Sequence, residues 1–398
     1  MRAVPTACRG AAVAATSALR SALQALGRGL PAAARLRWTR WCAPLAGALG
    51  GALSSSPAAA MTLPEDNAEA LYHLYDGGGV TAQGPALLVR KSLFDKVSLT
   101  GSYYVDMVSN ASIDVVTTAS PFKETRKEYA VGADYAYRDA LLSLSYSNSD
   151  EPDYKAQGLS IDASQEVFGS MTTVKLGFTR GKDDVGKKDE GFFDYAKHWR
   201  YRLGVTQILT PSWLASVNLE AVSDEGFLGS PYRAARVFGT LVPERNPRTR
   251  SSRAVKFSAI GEIMPRTSVH ADYRYFWDTW QIKAHTVELG YSRYFGDAWL
   301  ADAALRYYTQ TGASFYSDNA LTETTYVSRN RQLSSFNSIG LGAKVAYTVK
   351  KVPGKYEVKL NAAYERVRFK FNDFTDVRDG SLYGFNAGIL QMFVTATF

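Results

Sequence analysis

The chain is 398 residues long, and its 46 Lys and Arg against 38 Asp and Glu give a formal net charge of +8. Seven of those arginines and no acid fall in the first 60 residues, so the remainder stands near neutrality and lacks the basicity a nucleic-acid binder needs. Both cysteines, Cys8 and Cys42, lie in the same leader; residues 61–398 therefore hold no disulfide or thiolate site, and they offer no apolar run of about 18 residues for a membrane-spanning helix.

Residues 35–41 are basic, 42–53 are uncharged and mostly apolar, and 54–60 are small, ending in an A-x-A pattern at Ala58 and Ala60. This order predicts a secretory signal peptide cleaved after Ala60. Residues 1–34 exceed what such a signal needs and are set aside from fold reasoning. Residues 61–398 are then expected to form one domain.

From there the dominant pattern is period-two alternation, the mark of strands with unlike faces. A first strand is expected over 68–76. In 97–108, Val97, Leu99, Tyr103, Val105 and Met107 oppose Ser98, Thr100, Ser102 and Asp106. The pattern recurs in 199–205 and in 269–277, where Val269, Ala271, Tyr273, Tyr275 and Trp277 alternate with His270, Asp272, Arg274 and Phe276. Short turns are expected at 94–96, 138–140, 169–170, 210–212, 265–267, 296–298 and 352–355, and longer polar segments at 109–123, 148–158, 180–194, 223–251, 312–332 and 372–383. Seven short turns join fourteen strands; a first and a last strand make sixteen, with fourteen as the alternative. Phe94, Tyr137, Phe168, Trp213, Phe295 and Trp299 sit beside the short turns as an aromatic girdle would.

The last segment, GFNAGILQMFVTATF, places Gly388, Leu390, Met392, Val394 and Ala396 on one face and ends in Phe398. Together with the signal peptide and the 24 Tyr, 19 Phe and 7 Trp, it predicts an all-β, transmembrane antiparallel β-barrel of the outer membrane, with Phe398 as its assembly signal. The expected partners are outer-membrane lipid and lipopolysaccharide and the barrel assembly machinery.

The segments 102–126, 223–233, 244–254, 272–295 and 313–318 resemble an uncharacterised family of Gram-negative outer-membrane β-barrel proteins, a domain of unknown function. That resemblance implies a fold and a compartment, with no reaction or ligand attached.

Candidate sites follow from the alternation. Arg200, Arg202, Asp272, Arg274, Glu288 and Lys344, among other charged residues, should face a lumen, where they either line a hydrated channel and set its selectivity or pair across it and rigidify an occluded barrel. Arg233, Arg245, Arg248, Arg250 and Arg253, near or within 223–253, are candidates for anion or lipid-phosphate contact at the outer surface, or for internal ion pairs. The four histidines, His73, His198, His270 and His285, have no ligand-like spacing, and Gly77-Gly78-Gly79 precedes no Lys-bearing helix; neither metal nor cofactor is expected. G-x-S-x-G is absent and no Ser pairs with His285 by spacing. The favoured function is a non-enzymatic channel or transport-associated barrel; a scaffold for a periplasmic or surface partner is the alternative, and a membrane-embedded hydrolase is the least supported.

Overall fold

The computed structural model describes residues 62–110, 122–187 and 191–398. The expected signal peptide lies outside the described residues. Nine strands come first: β1 (Asn67–Gly77), β2 (Val80–Leu93), β3 (Val97–Asn110), β4 (Phe122–Tyr137), β5 (Ala140–Glu151), β6 (Tyr154–Val167), β7 (Thr172–Lys187), β8 (Phe192–Thr210) and β9 (Trp213–Gly226). A short hairpin, β10 (Ala234–Val237) and β11 (Thr240–Pro243), interrupts them. Seven more strands follow: β12 (Thr249–Met264), β13 (Thr267–Asp278), β14 (Lys283–Phe295), β15 (Trp299–Gln310), β16 (Phe336–Val352), β17 (Tyr356–Thr375) and β18 (Leu382–Thr397).

All but the hairpin join one closed antiparallel barrel of sixteen strands, in which β9 pairs directly with β12 and β1 pairs with β18. Closure leaves no edge, so every strand has a hydrogen-bonded neighbour on both sides. β1 is a full strand, in register with β18 from Asn67↔Thr397 to Gly77↔Ala387, which settles the count at sixteen rather than fourteen.

Alternation fixes which side chains point in. On β3, Ser98 and Asp106 are buried while Leu99, Tyr103 and Met107 are exposed on the outer face. Leu203, Tyr273 and Val394 are exposed in the same way. All seven short turns occur at one end. There Phe94 and Phe168 adopt positive φ (56° and 53°), and Phe94 is 91% exposed.

Three connections at the other end are shorter than the sequence suggests. β5 runs to Glu151 and β6 resumes at Tyr154, β7 runs to Lys187 before β8 starts at Phe192, and β17 runs to Thr375 before β18 starts at Leu382. Polar residues on both faces read as loop, yet the backbone ladder continues through them, because pairing does not need an apolar face. Only 227–248 and 311–335 are long connections among the described residues, and they pack on each other: Val237 bridges Ala320, and Arg245 bridges Val327.

Candidate functional site

The inner wall is uneven. On β7, β8 and β9, Lys175, Arg200 and Asn218 point inward and stay exposed, the Arg200 side chain by 51%. Arg202 reaches across β7 to β6, where its Nη2 donates to Asp162 Oδ1 at 2.8 Å and to Ser160 Oγ at 2.9 Å. Gly177 lies beneath this reach, in register with both Asp162 and Arg202, and a Cβ there would meet Arg202 Nε at 2.7 Å. Glu220 stands between two guanidiniums, 3.8 Å from Arg200 and 3.4 Å from Arg274. Lys256 holds Asp272 at 2.9 Å, and Lys344 lies 3.5 Å from Asp302. One glutamate shared by two arginines leaves this stretch with a surplus positive charge.

Higher on the same wall, His198 is held by Asp224 through Nδ1 at 2.8 Å and by Asp183 through Nε2 at 3.1 Å.

The opposite wall is packed. Tyr75, Val80, Ala82, Ala387 and Ile389 form a buried cluster backed by Phe369 and Phe385, with Ile389 only 1% exposed. Below it His73 Nε2 lies 2.6 Å from Asp106 Oδ1 and 3.0 Å from Tyr104 Oη, and Arg126 reaches the same carboxylate at 3.6 Å. Apolar residues therefore face inward here, whereas the exposed inward side chains Lys175, Arg200 and Asn218 lie on the β7–β9 side.

One end of the barrel is covered by residues 311–335. Leu333 packs with Trp280, Ile282 and Ala313 against the inward Phe276. Arg331 stacks on Phe385 (5.3 Å) and Tyr383 (5.7 Å), while Arg329 lies 4.4 Å over Phe374 and donates through Nη2 to the Thr375 carbonyl at 2.7 Å. Glu244, from the other long connection, accepts from Ser328 Oγ at 2.9 Å and from the Arg329 amide at 2.8 Å. These arginines were not singled out in the sequence; their only local signal is the pair Arg329 and Arg331 in an aperiodic segment.

The arginines of 233–253 do not act as one cluster. Arg248 forks onto Asp194 at 2.7 and 2.9 Å, and Asp194 draws its pKa above the usual guanidinium value. Arg250 belongs to β12 and clamps Asp278 at 2.5 and 2.8 Å while stacking on Trp280 at 4.6 Å. Arg245 donates to the Thr324 carbonyl at 2.9 Å, and Arg233 is half-buried near Ser230, whose carbonyl accepts its amide at 3.3 Å. Arg253, also on β12, faces outward opposite Trp277, beside a shallow depression of about 630 Å³ lined by Leu203, Leu219 and Val255. Internal pairing accounts for Arg248 and Arg250.

His285 is on the outer face, its Nδ1 2.8 Å from Tyr273 Oη, and Asp278 points inward; the two do not meet. His270, Asp272 and Glu288 do converge, with ligand atoms within 4.8 Å of one another. Sequence spacing could not find this group, because Glu288 joins it across the β13–β14 register opposite Asp272. Lys256 on Asp272 and Arg306 opposite Glu288 already place cations beside both carboxylates.

A family described as "Protein of unknown function (DUF3570)" matches residues 55–191 and 193–377. No curated protein matches the sequence. Among solved structures, the siderophore receptor PirA from Pseudomonas aeruginosa aligns at 9% identity over 84% of this chain and 81% of its own, with a TM-score of 0.41. A ferric enterobactin receptor aligns at 9% identity over 78% of this chain, TM-score 0.43, and the chain spans 54% of that receptor. A bacterial polysaccharide outer membrane secretin aligns at 8% identity over 83% of this chain and 97% of its own, with a TM-score of 0.48.

Proposed function

The chain belongs to this family of proteins of unknown function and has a closed sixteen-stranded barrel fold of the outer-membrane type. We propose that it resides in the outer membrane and passes small polar solutes, without catalysis, along the hydrated side of its lumen. The observation that supports this reading is the inward trio Lys175, Arg200 and Asn218, exposed inside a barrel whose opposite wall is packed to near-complete burial. Charged groups that line a water-filled path set its selectivity, and the Arg200–Glu220–Arg274 arrangement favours anions. The segment 311–335 over one end makes the passage narrow.

Planar-bilayer recording tests this. The wild-type barrel should give small, anion-preferring conductance steps, excision of residues 317–327 should enlarge them, and Arg200→Glu should move the reversal potential toward cations. A folded barrel that stays silent in both its intact and excised forms would overturn the proposal.

A further inference from the structure

The upper part of β17 carries its charges on the wrong side for a membrane strand. From Leu360 to Tyr364 the outward residues are apolar or aromatic, and from Arg366 onward they are Arg366, Arg368 and Lys370, all exposed. The inward residues at that level are Val367, which is buried, and Phe369 and Phe371, which pack with Phe336, Phe374, Tyr383 and Phe385 under the covering segment. Sidedness thus inverts within one strand: lipid-type below, soluble-type above.

Each of the three cations lacks an acidic partner among the described residues. By register their neighbours are Leu341, Ile339 and Asn337 on β16 and Gly388, Asn386 and Gly384 on β18. On the β18 side the Tyr364 ring lies over Gly388, where a Cβ would meet its Oη at 3.1 Å. The nearest acid along that row is Asp76, one strand beyond Gly388, and it accepts from Thr81 Oγ1 at 3.2 Å. Beside Arg366 lies the exposed side chain of Leu341, and below the stripe lie those of Leu360, Met392 and Val394.

We infer that this face of β17 and β18 docks a phosphorylated, acylated glycolipid of the outer leaflet, with Arg366, Arg368 and Lys370 on its phosphates and the apolar patch below against its acyl chains. The inference rests on the outer-membrane reading above. Guanidiniums grip phosphate through paired hydrogen bonds, and unpaired basic residues at a membrane surface are drawn to anionic headgroups. Three cations at every second residue of a strand span about 14 Å, which suits a headgroup carrying more than one phosphate better than a glycerophospholipid with a single one.

The test uses the whole barrel in detergent micelles, with bis-phosphorylated lipid A as the probe and phosphatidylglycerol as the comparison. Binding is read by native mass spectrometry, and folding by heat-modifiable migration. The variant Arg366→Gln/Arg368→Gln/Lys370→Gln should bind lipid A more weakly by on the order of tenfold or more, from the loss of three surface cations. Lys96→Gln/Arg138→Gln, at the opposite rim, should bind as the wild type does. Equal lipid A binding by the triple variant, or phosphatidylglycerol competing as well as lipid A, would overturn the inference. Bilayer conductance of the same triple variant separates the two readings. Lost lipid A binding with intact conductance leaves the channel standing and supports the dock, whereas a wild type that is silent yet binds lipid A, with the triple variant losing that binding, removes only the channel.

Discussion

The five arginines proposed for one surface role divide, at the level of single side chains, into different environments. Asp278 is 0% exposed, and its two oxygens serve the Ile282 amide at 2.9 Å and the Arg250 fork. Removing the guanidinium strands a buried carboxylate, so Arg250→Gln should destabilise the barrel by about 3 kcal/mol. Arg250→Lys should rescue only part of that, because a point charge cannot reproduce the fork. Arg248 is more than half exposed, and its pair with Asp194 is worth at most about 1 kcal/mol, so Arg248→Gln should be nearly silent. Urea unfolding of the three variants in micelles checks the ranking; equal losses at both positions would contradict it. Composition revealed the cluster but not this division, since each partner is 28 or 54 residues away in sequence.

The strand is the scale at which the sequence was most readable. Wherever one face is apolar and the other polar, alternation names both, as it does on β3, β8, β13 and β18. Spin labels at 99, 203, 273 and 394 should be quenched by lipid-soluble agents, and labels at 100, 202, 272 and 395 by water-soluble ones. Equal quenching of the two sets would mean the registers are wrong. The reading fails where the apolar set no longer faces outward. At the top of β17 the sequence RVRFKF still alternates, but the apolar set turns inward because 311–335 supplies a dry partner there. That segment has no period of its own, and its anchors, such as Ser328 to Glu244 and Arg329 to Thr375, join residues 84 and 46 apart. Neither its cover over the lumen nor the basic stripe beneath it was legible for that reason. The same loss of contrast turned the polar ends of β5, β6, β7 and β17 into apparent loops.

Closure of the whole barrel depends on a seam between its first and last strands, and the seam is latched where the chain ends. The Phe398 amide donates to the Asp66 carbonyl at 3.1 Å, and Lys91 lies 4.9 Å over the Phe398 ring. The Asp66 carboxylate takes Lys91 at 2.7 Å and the Ser92 amide at 2.6 Å, and these contacts, that to Lys91 first, hold it below its ordinary value of 3.8. A depressed carboxyl stabilises the fold above that ordinary value and loses its contribution as pH falls through the folded one, so the latch should loosen only in acid. β1 and β18 remain paired over eleven residues without it, which makes Phe398 a small part of the finished seam. Deleting Phe398 should therefore leave refolding into micelles near wild-type at neutral pH, yet lower the folded yield in cell outer membranes if the terminal aromatic is what the assembly machinery engages. Heat-modifiable migration measures both yields. A matching fall in the two would make Phe398 a structural residue of the seam, and an unchanged cellular yield would remove the assembly role altogether.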